Sequence, residues 1–161
     1  MQKTILIPTD FTIESLVTVK QAISQNPDTK LNIVLLYSCF ITDSITDLLF
    51  YSPDKIINEH CHQNFHDAIS IIRNRFSEKI EDMTIEVFHG YSVLSLENFA
   101  KKNEIDHIYI SKNYAIKEVK NQFDIAPFVK KSNFPYTELA QLDNNFSFSQ
   151  TDNLINLFNT L

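Results

Sequence analysis

The sequence predicts an α/β fold, a five-stranded parallel open sheet in strand order 3-2-1-4-5 with helices on both faces. Residues 31–37, LNIVLLY, are nearly continuous in apolar side chains, as a parallel strand covered on both sides requires. Apolar runs of strand length alternate along the chain with segments whose apolar residues recur at steps of three and four. Because crossovers between parallel strands are right-handed, that alternation sets helices on both faces of one sheet. A chain of 161 residues suits a single domain with an ample core.

The first strand is 4–7, stopped by Pro8. Thr12 is placed to cap the first helix, with Glu14 in its first turn, where the positive end of the helix dipole favours an anion. Ile13, Leu16, Val17 and Ile23 form the buried stripe of that helix until Asn26-Pro27-Asp28 breaks it. Residues 31–37 are the second strand. Segment 38–54 is irregular and unusually apolar, with Phe40, Ile41, Ile45, Leu48, Leu49, Phe50 and Tyr51, and has room for a short helix. Ile57, Cys61, Phe65, Ala68, Ile69, Ile72 and Phe76 then repeat at three and four, which predicts one amphipathic helix over 55–80. Residues 83–89 alternate as a third strand, and Gly90 allows the turn that follows. Ser92 caps a helix that buries Val93, Leu96, Phe99 and Ala100. The fourth strand is 105–110, a short helix covers 125–131 ahead of Pro135, and 136–142 is the last strand. The domain therefore spans 1–142. Within the extension 143–161, a polar linker over 143–152 leads to Leu154, Ile155, Leu157, Phe158 and Leu161, the stripe of a terminal helix.

An apolar fraction of 43%, a charged fraction of 21% and a single glycine describe a globular chain, not a low-complexity one. Fourteen basic against 20 acidic residues leave a net charge of −6 with no basic block, so the surface repels phosphate backbones and nucleic acid is not an expected partner. No stretch reaches the roughly 18 apolar residues of a membrane span, and the first apolar run is too short for a secretory signal. No membrane association is expected, and the expected setting is cytoplasmic. Cys39 and Cys61 are too few for a disulfide framework and are expected as reduced thiols.

An open sheet of this kind binds its ligand beyond the carboxyl ends of the strands, where the strand order reverses, here between the first and fourth strands. Thr9, Asp10 and segment 111–114 fall there. Asp10 also suits a local role, because an aspartate readily accepts a hydrogen bond from the backbone two residues on. Glu59, His62 and His66 would share one stripe of the 55–80 helix and form a weak candidate metal set. They do not make an HExxH motif and lie on the flank of the buried stripe, so a solvated helix edge is the plainer reading. His89 stands at a strand end with nothing to mark a role. Cys39, just past the second strand, is a candidate thiol nucleophile, but no activating base neighbours it in sequence. A phosphorylated receiver domain needs an aspartate at the end of the third strand, where this chain has Phe88-His89, and that class is set aside.

The opening ILIPTDFTIES combines an apolar strand, a proline, a hydroxyl residue, an aspartate and a capped helix. Gly90 follows the third strand, AKKNEIDHIYI leads into the loop after the fourth, and Pro135 precedes the fifth. In this order and separation the motifs resemble the universal stress protein family over roughly residues 4–141. The resemblance implies a Rossmann-like, adenine nucleotide alpha hydrolase-like sheet. It also implies, for nucleotide-binding members, a loop after the fourth strand built as Gly, two residues, Gly, nine residues, then Gly and Ser or Thr. Backbone N–H groups and the hydroxyl of that loop hold the phosphates. At the corresponding positions this chain has Ser111, Tyr114 and the pair Asp124-Ile125. Glycine serves there because a main chain wrapping a phosphate needs positive φ or close approach, both of which a tyrosine side chain obstructs. Ile125 removes the hydroxyl donor, and Asp124 sets a negative charge where phosphates would lie. Asp10, which relatives use near adenosine, is retained. With Thr9, Tyr37, Ser111, Lys112, Tyr114, Asp124 and Ile125 it completes the set that ATP or AMP would meet, Lys112 acting as a point charge.

The resemblance thus implies a stress-response or regulatory domain that pairs as a homodimer, as members of the family often do through the last strand or its surroundings, and the altered loop leads to the expectation that it has lost nucleotide binding, needs no cofactor and is not an enzyme. ATP or AMP binding through an altered loop is the alternative, and a metal-dependent or thiol enzyme a third class. Tyr114 is expected to fill the vacant cleft. Segment 38–51 and the terminal helix are expected either to pack on the domain or to contribute to the pairing surface.

Overall fold

The computed structural model describes residues 1–42, 44–116 and 121–140. The sheet has the predicted order, β3-β2-β1-β4-β5, and all four neighbouring pairs are parallel. Its strands are β1 (Gln2–Pro8), β2 (Lys30–Ser38), β3 (Ile80–Phe88), β4 (His107–Ser111) and β5 (Tyr136–Leu139). The helices are α1 (Val17–Gln25), entered through a 3-10 turn at Glu14–Leu16, then α2 (Ile45–Leu49), α3 (Pro53–His60), α4 (Gln63–Arg75), α5 (Val93–Lys102) and α6 (Ala126–Lys131). Alternate side chains of the central strands feed two cores, since successive residues of a strand point to opposite faces. Ile5, Ile7, Ile33 and Leu35 pack with Val19 of α1 and with Phe65 and Ile72 of α4. Leu6, Val34 and Leu36 pack on the other face with Leu96 and Ala100 of α5 and Val129 of α6. Both faces are therefore covered by helices, which is why β1 and β2 read as unbroken apolar runs.

Several boundaries differ from those expected. The single helix over 55–80 is two helices, broken where Cys61 (φ −90°, ψ 102°) and His62 (φ −79°, ψ 162°) are extended, and β3 begins at Ile80. The break conserves the phase of the apolar repeat: Cys61 and Phe65, on either side of it, are both buried. No glycine or proline marks it, so periodicity alone joins the two pieces. Thr12 Oγ1 accepts from Ser15 N at a long 3.4 Å, so it caps the 3-10 turn that leads into α1 and not the start of a regular helix. Ser92 does cap α5, its Oγ accepting from Ser95 N at 3.0 Å. Strand β5 stops at Leu139, short of 142. The expected linker and terminal helix over 143–161 lie outside the described residues. Among the described residues no helix is long and apolar enough to cross a membrane.

Gly90 follows β3 for a different reason from the one expected. It has no positive φ. A Cβ there would meet Ser95 Cβ at 2.5 Å and the Phe88 ring at 3.0 Å, so glycine provides room for α5 to start close against the strand end. Gly90→Ala is expected to cost about 1–3 kcal/mol as α5 is forced outward. An unchanged urea midpoint would show that Ser95 yields freely.

Candidate functional site

The crevice where the strand order reverses is built from the end of β1 and the loop after β4. Pro8 ends β1, and Thr9 N extends the ladder by donating to Leu36 O at 2.9 Å. The chain then turns sharply. Phe11 takes φ 60°, a left-handed conformation costly for an aromatic residue, by about 1 kcal/mol or more. Three contacts hold it there. Its N–H donates to Thr9 Oγ1 at 3.1 Å, its ring stacks on Tyr37 at 4.4 Å, and Phe65 meets it edge-on at 5.4 Å. Thr9 Oγ1 lies 2.8 Å from Ser15 Oγ, and Ser15 Oγ donates to Thr12 O at 2.7 Å. Since the one Ser15 hydroxyl proton is used on Thr12, Thr9 donates to Ser15, and the chain of hydroxyls ties the turn to the start of the first helix.

Asp10 is at the centre. Its Oδ1 accepts from Thr12 N at 3.1 Å, the local turn expected of an aspartate there, and from Thr12 Oγ1 at 2.5 Å. Its Oδ2 accepts from Tyr114 Oη at 2.5 Å across the crevice. Both hydroxyl protons thus go to the carboxylate, and the 2.8 Å contact between Thr12 Oγ1 and Tyr114 Oη is bridged by it. Burial and then the hydrogen bond to Asp10 push the Tyr114 phenol up, so it stays a neutral donor. Tyr114 reaches inward because its own N–H donates to Ser111 Oγ at 3.0 Å, curling the loop back over the strand end. The space left beside Pro8, Ser15, Ser111, Tyr114 and Asp124 is about 20 Å3. That is room for about one water, which needs roughly 10–15 Å3, against the roughly 300–1,000 Å3 of a small-molecule pocket.

Of the residues expected here, Thr9, Asp10, Ser111, Tyr114 and Asp124 gather around this crevice. Asp124 Oδ1 accepts from Ala126 N at 2.9 Å at the start of α6. Three positions go elsewhere. Tyr37 is buried in the α1/α4 core, between Phe11 and His60. Ile125 is 1% exposed in the α5/α6 core, and the Lys112 side chain is exposed while its N–H extends the β4 ladder to Leu139 O at 2.8 Å. Thr12, read from sequence as a helix cap, accepts from Ser15 N and is also a partner of the cross-crevice contact. The Ser-x-x-Tyr spacing at 111–114 was the available sign of the curled loop.

The other candidates come apart. Glu59 ends up on α3, His62 is extended at the break and His66 is on α4, so they do not share one helical stripe. Among the described residues no three His, Cys, Asp or Glu side chains gather as a metal site. Burial pushes the thiols of Cys39 and Cys61 up to about 11, the reverse of what a nucleophile needs.

No family model matches this chain, and no curated protein matches it by sequence. Solved structures do match. A universal stress protein of Lactobacillus plantarum, UspA, superposes with a TM-score of 0.53 at 14% identity, over 85% of this chain and 97% of that one. A protein of the universal stress protein family from Burkholderia pseudomallei gives 0.52 at 12% identity, over 85% and 95%. The fold is that of the universal stress proteins. A family protein from Arabidopsis thaliana, with AMP bound, gives 0.50 at 9% identity, over 92% of this chain and 98% of that one.

Proposed function

We propose that this chain is a universal stress protein-like domain whose nucleotide crevice is closed by its own Tyr114, and that it acts as a regulatory, stress-related homodimer through protein contacts, not through a bound nucleotide. The observation that carries the reading is the Tyr114 Oη bond to Asp10 Oδ2 at 2.5 Å, with about 20 Å3 left beside it. The residue that relatives would offer to adenosine is satisfied from within the chain. Asp124, set where the resemblance places phosphates, adds a negative charge to that crevice. The pairing surface that the resemblance suggests is at β5, an end strand of the sheet that leaves Tyr136 partly exposed.

In the competing reading, ATP or AMP meets Asp10 with its base or ribose and Lys112 with its phosphates. That requires Tyr114 to swing out, and the AMP-bound relative of the same fold is what favours it. Thermal melting with millimolar AMP or ATP separates the two. A ligand at 100 times its Kd adds about 2.7 kcal/mol, which at about 2–4 °C per kcal/mol is a shift of roughly 5–11 °C. No shift is expected, and a shift of that size overturns the closed crevice. Zinc is expected to give none either. Tyr114→Phe removes one donor to a carboxylate and is expected to cost about 1.5–3 kcal/mol, so an unchanged melting temperature would show that the bond across the crevice is not made.

A further inference from the structure

Helix α2 has an unusual status: every one of its five residues is exposed, whereas α3, which also has no fully buried residue, half-buries Ile56 and Ile57. Ile45 is 75% exposed, Leu49 74% and Phe50 69%, and Leu48 is also exposed. A five-residue helix in water does not persist on its own hydrogen bonds, because nucleation is unfavourable and few bonds follow it. Both ends of this segment are nevertheless pinned to the turn after β3. Phe40 packs on Tyr91 with ring centroids 4.9 Å apart, and Tyr51 Oη lies 3.1 Å from His89 Nδ1. The segment from Phe40 to Tyr51 is thus held at both ends, and between them the apolar side chains of α2 form a short strip that is uncovered among the described residues.

The geometry points to the chain's own C-terminal segment, 154–161, as the cover of this strip. Two observations favour it over other occupants. The first is reach. Ala140, the last described residue, leaves the carboxyl end of β5, the same edge of the sheet from which α2 projects beyond β2. From β5 to β2 or β3 is three or four strand spacings, roughly 15–19 Å, while residues 141–153 span up to about 43 Å. The second is size. A stable interface between separate chains uses roughly 20–30 residues a side, several times this strip. Leu154, Ile155, Leu157, Phe158 and Leu161 offer an apolar set of matching extent. This docking is independent of whether Tyr114 closes the crevice.

The test uses the full chain with Leu48→Cys as a thiol probe, the native thiols being buried. With the tail intact, reaction with a disulfide reagent at pH 8 is expected to be at least tenfold slower than in the same chain carrying Leu157→Asp and Phe158→Asp. Equal rates in the two chains would overturn the docking. So would protection that is lost on dilution, which would place the cover on a second copy. Amide exchange of the unsubstituted chain gives a readout free of variants. The α2 amides Leu48 N and Phe50 N are expected to exchange at least about 100-fold slower than in an unstructured peptide, and exchange at the peptide rate would exclude a cover of any kind.

Discussion

Replacing Phe65 by alanine is expected to lower the unfolding free energy by about 3–5 kcal/mol, a fall in melting temperature of roughly 6–20 °C. Phe65 is 1% exposed, and it is the side chain against which Phe11 rests its edge, 5.4 Å between ring centroids at 74°. Phe11 in turn carries the left-handed backbone between Asp10 and Thr12. Removing the Phe65 ring leaves a void under a strained residue, so the loss reaches the crevice as well as the core. Asn64→Ala, one position away and exposed on the same helix, is expected to stay within about 0.5 kcal/mol. Urea titration of the two variants decides the point. A Phe65→Ala cost near that of Asn64→Ala would mean that Phe11 is held by something other than this packing.

Alkaline pH is the second large lever. Burial holds Tyr37 up to about 12 from an ordinary value of 10.0, with further upward pushes from Cys39 and Asp10. Burial raises Cys39 and Cys61 to about 11 from 9.0. In each case the folded chain keeps a proton that the unfolded chain has released, so between the two values the unfolded state binds fewer protons and stability falls as pH rises. The contribution is whole below about pH 9, is lost progressively from about pH 9 to 12, and is gone above the folded values. A shift of two units corresponds to about 2.7 kcal/mol for one group. Because Tyr37 and Cys39 interact, the three do not simply add. Urea midpoints measured from pH 8 to 11.5 are expected to fall by at least one group's share. The double variant Cys39→Ala with Cys61→Ala is expected to flatten the curve between pH 9 and 10.5. A flat curve for the unsubstituted chain would contradict the burial of these groups. At pH 8, by the same reasoning, both native thiols are expected to resist labelling until the protein is unfolded.

Much of the fold was legible in the sequence because strand burial is written into composition. Residues 31–37 are apolar almost throughout only because helices cover both faces of β2, and the helical stripe of α5 and its Ser92 cap could be read for the same kind of reason. Where two solutions share one periodicity, the sequence did not choose between them. The break at Cys61 and His62 keeps the apolar phase of an unbroken helix, and so it separates Glu59 from His66 without any local sign. Gly90 shows the converse: its presence was visible, while its cause, the approach of Ser95, belongs to a helix that follows.

By itself, then, the chain determined an order of strands and helices, and with it the crevice between β1 and β4 at which Asp10 and segment 111–114 must meet. It also determined that the segment after β4 contains no glycine. Only the tertiary structure decided what occupies the space: Thr12 and Tyr114, two and 104 residues from Asp10, converge on one carboxylate. The reason is physical. Apolar burial is set residue by residue and survives as a pattern, whereas a hydrogen bond of 2.5 Å between loops depends on how β1 and β4 are seated side by side, which no local spacing records.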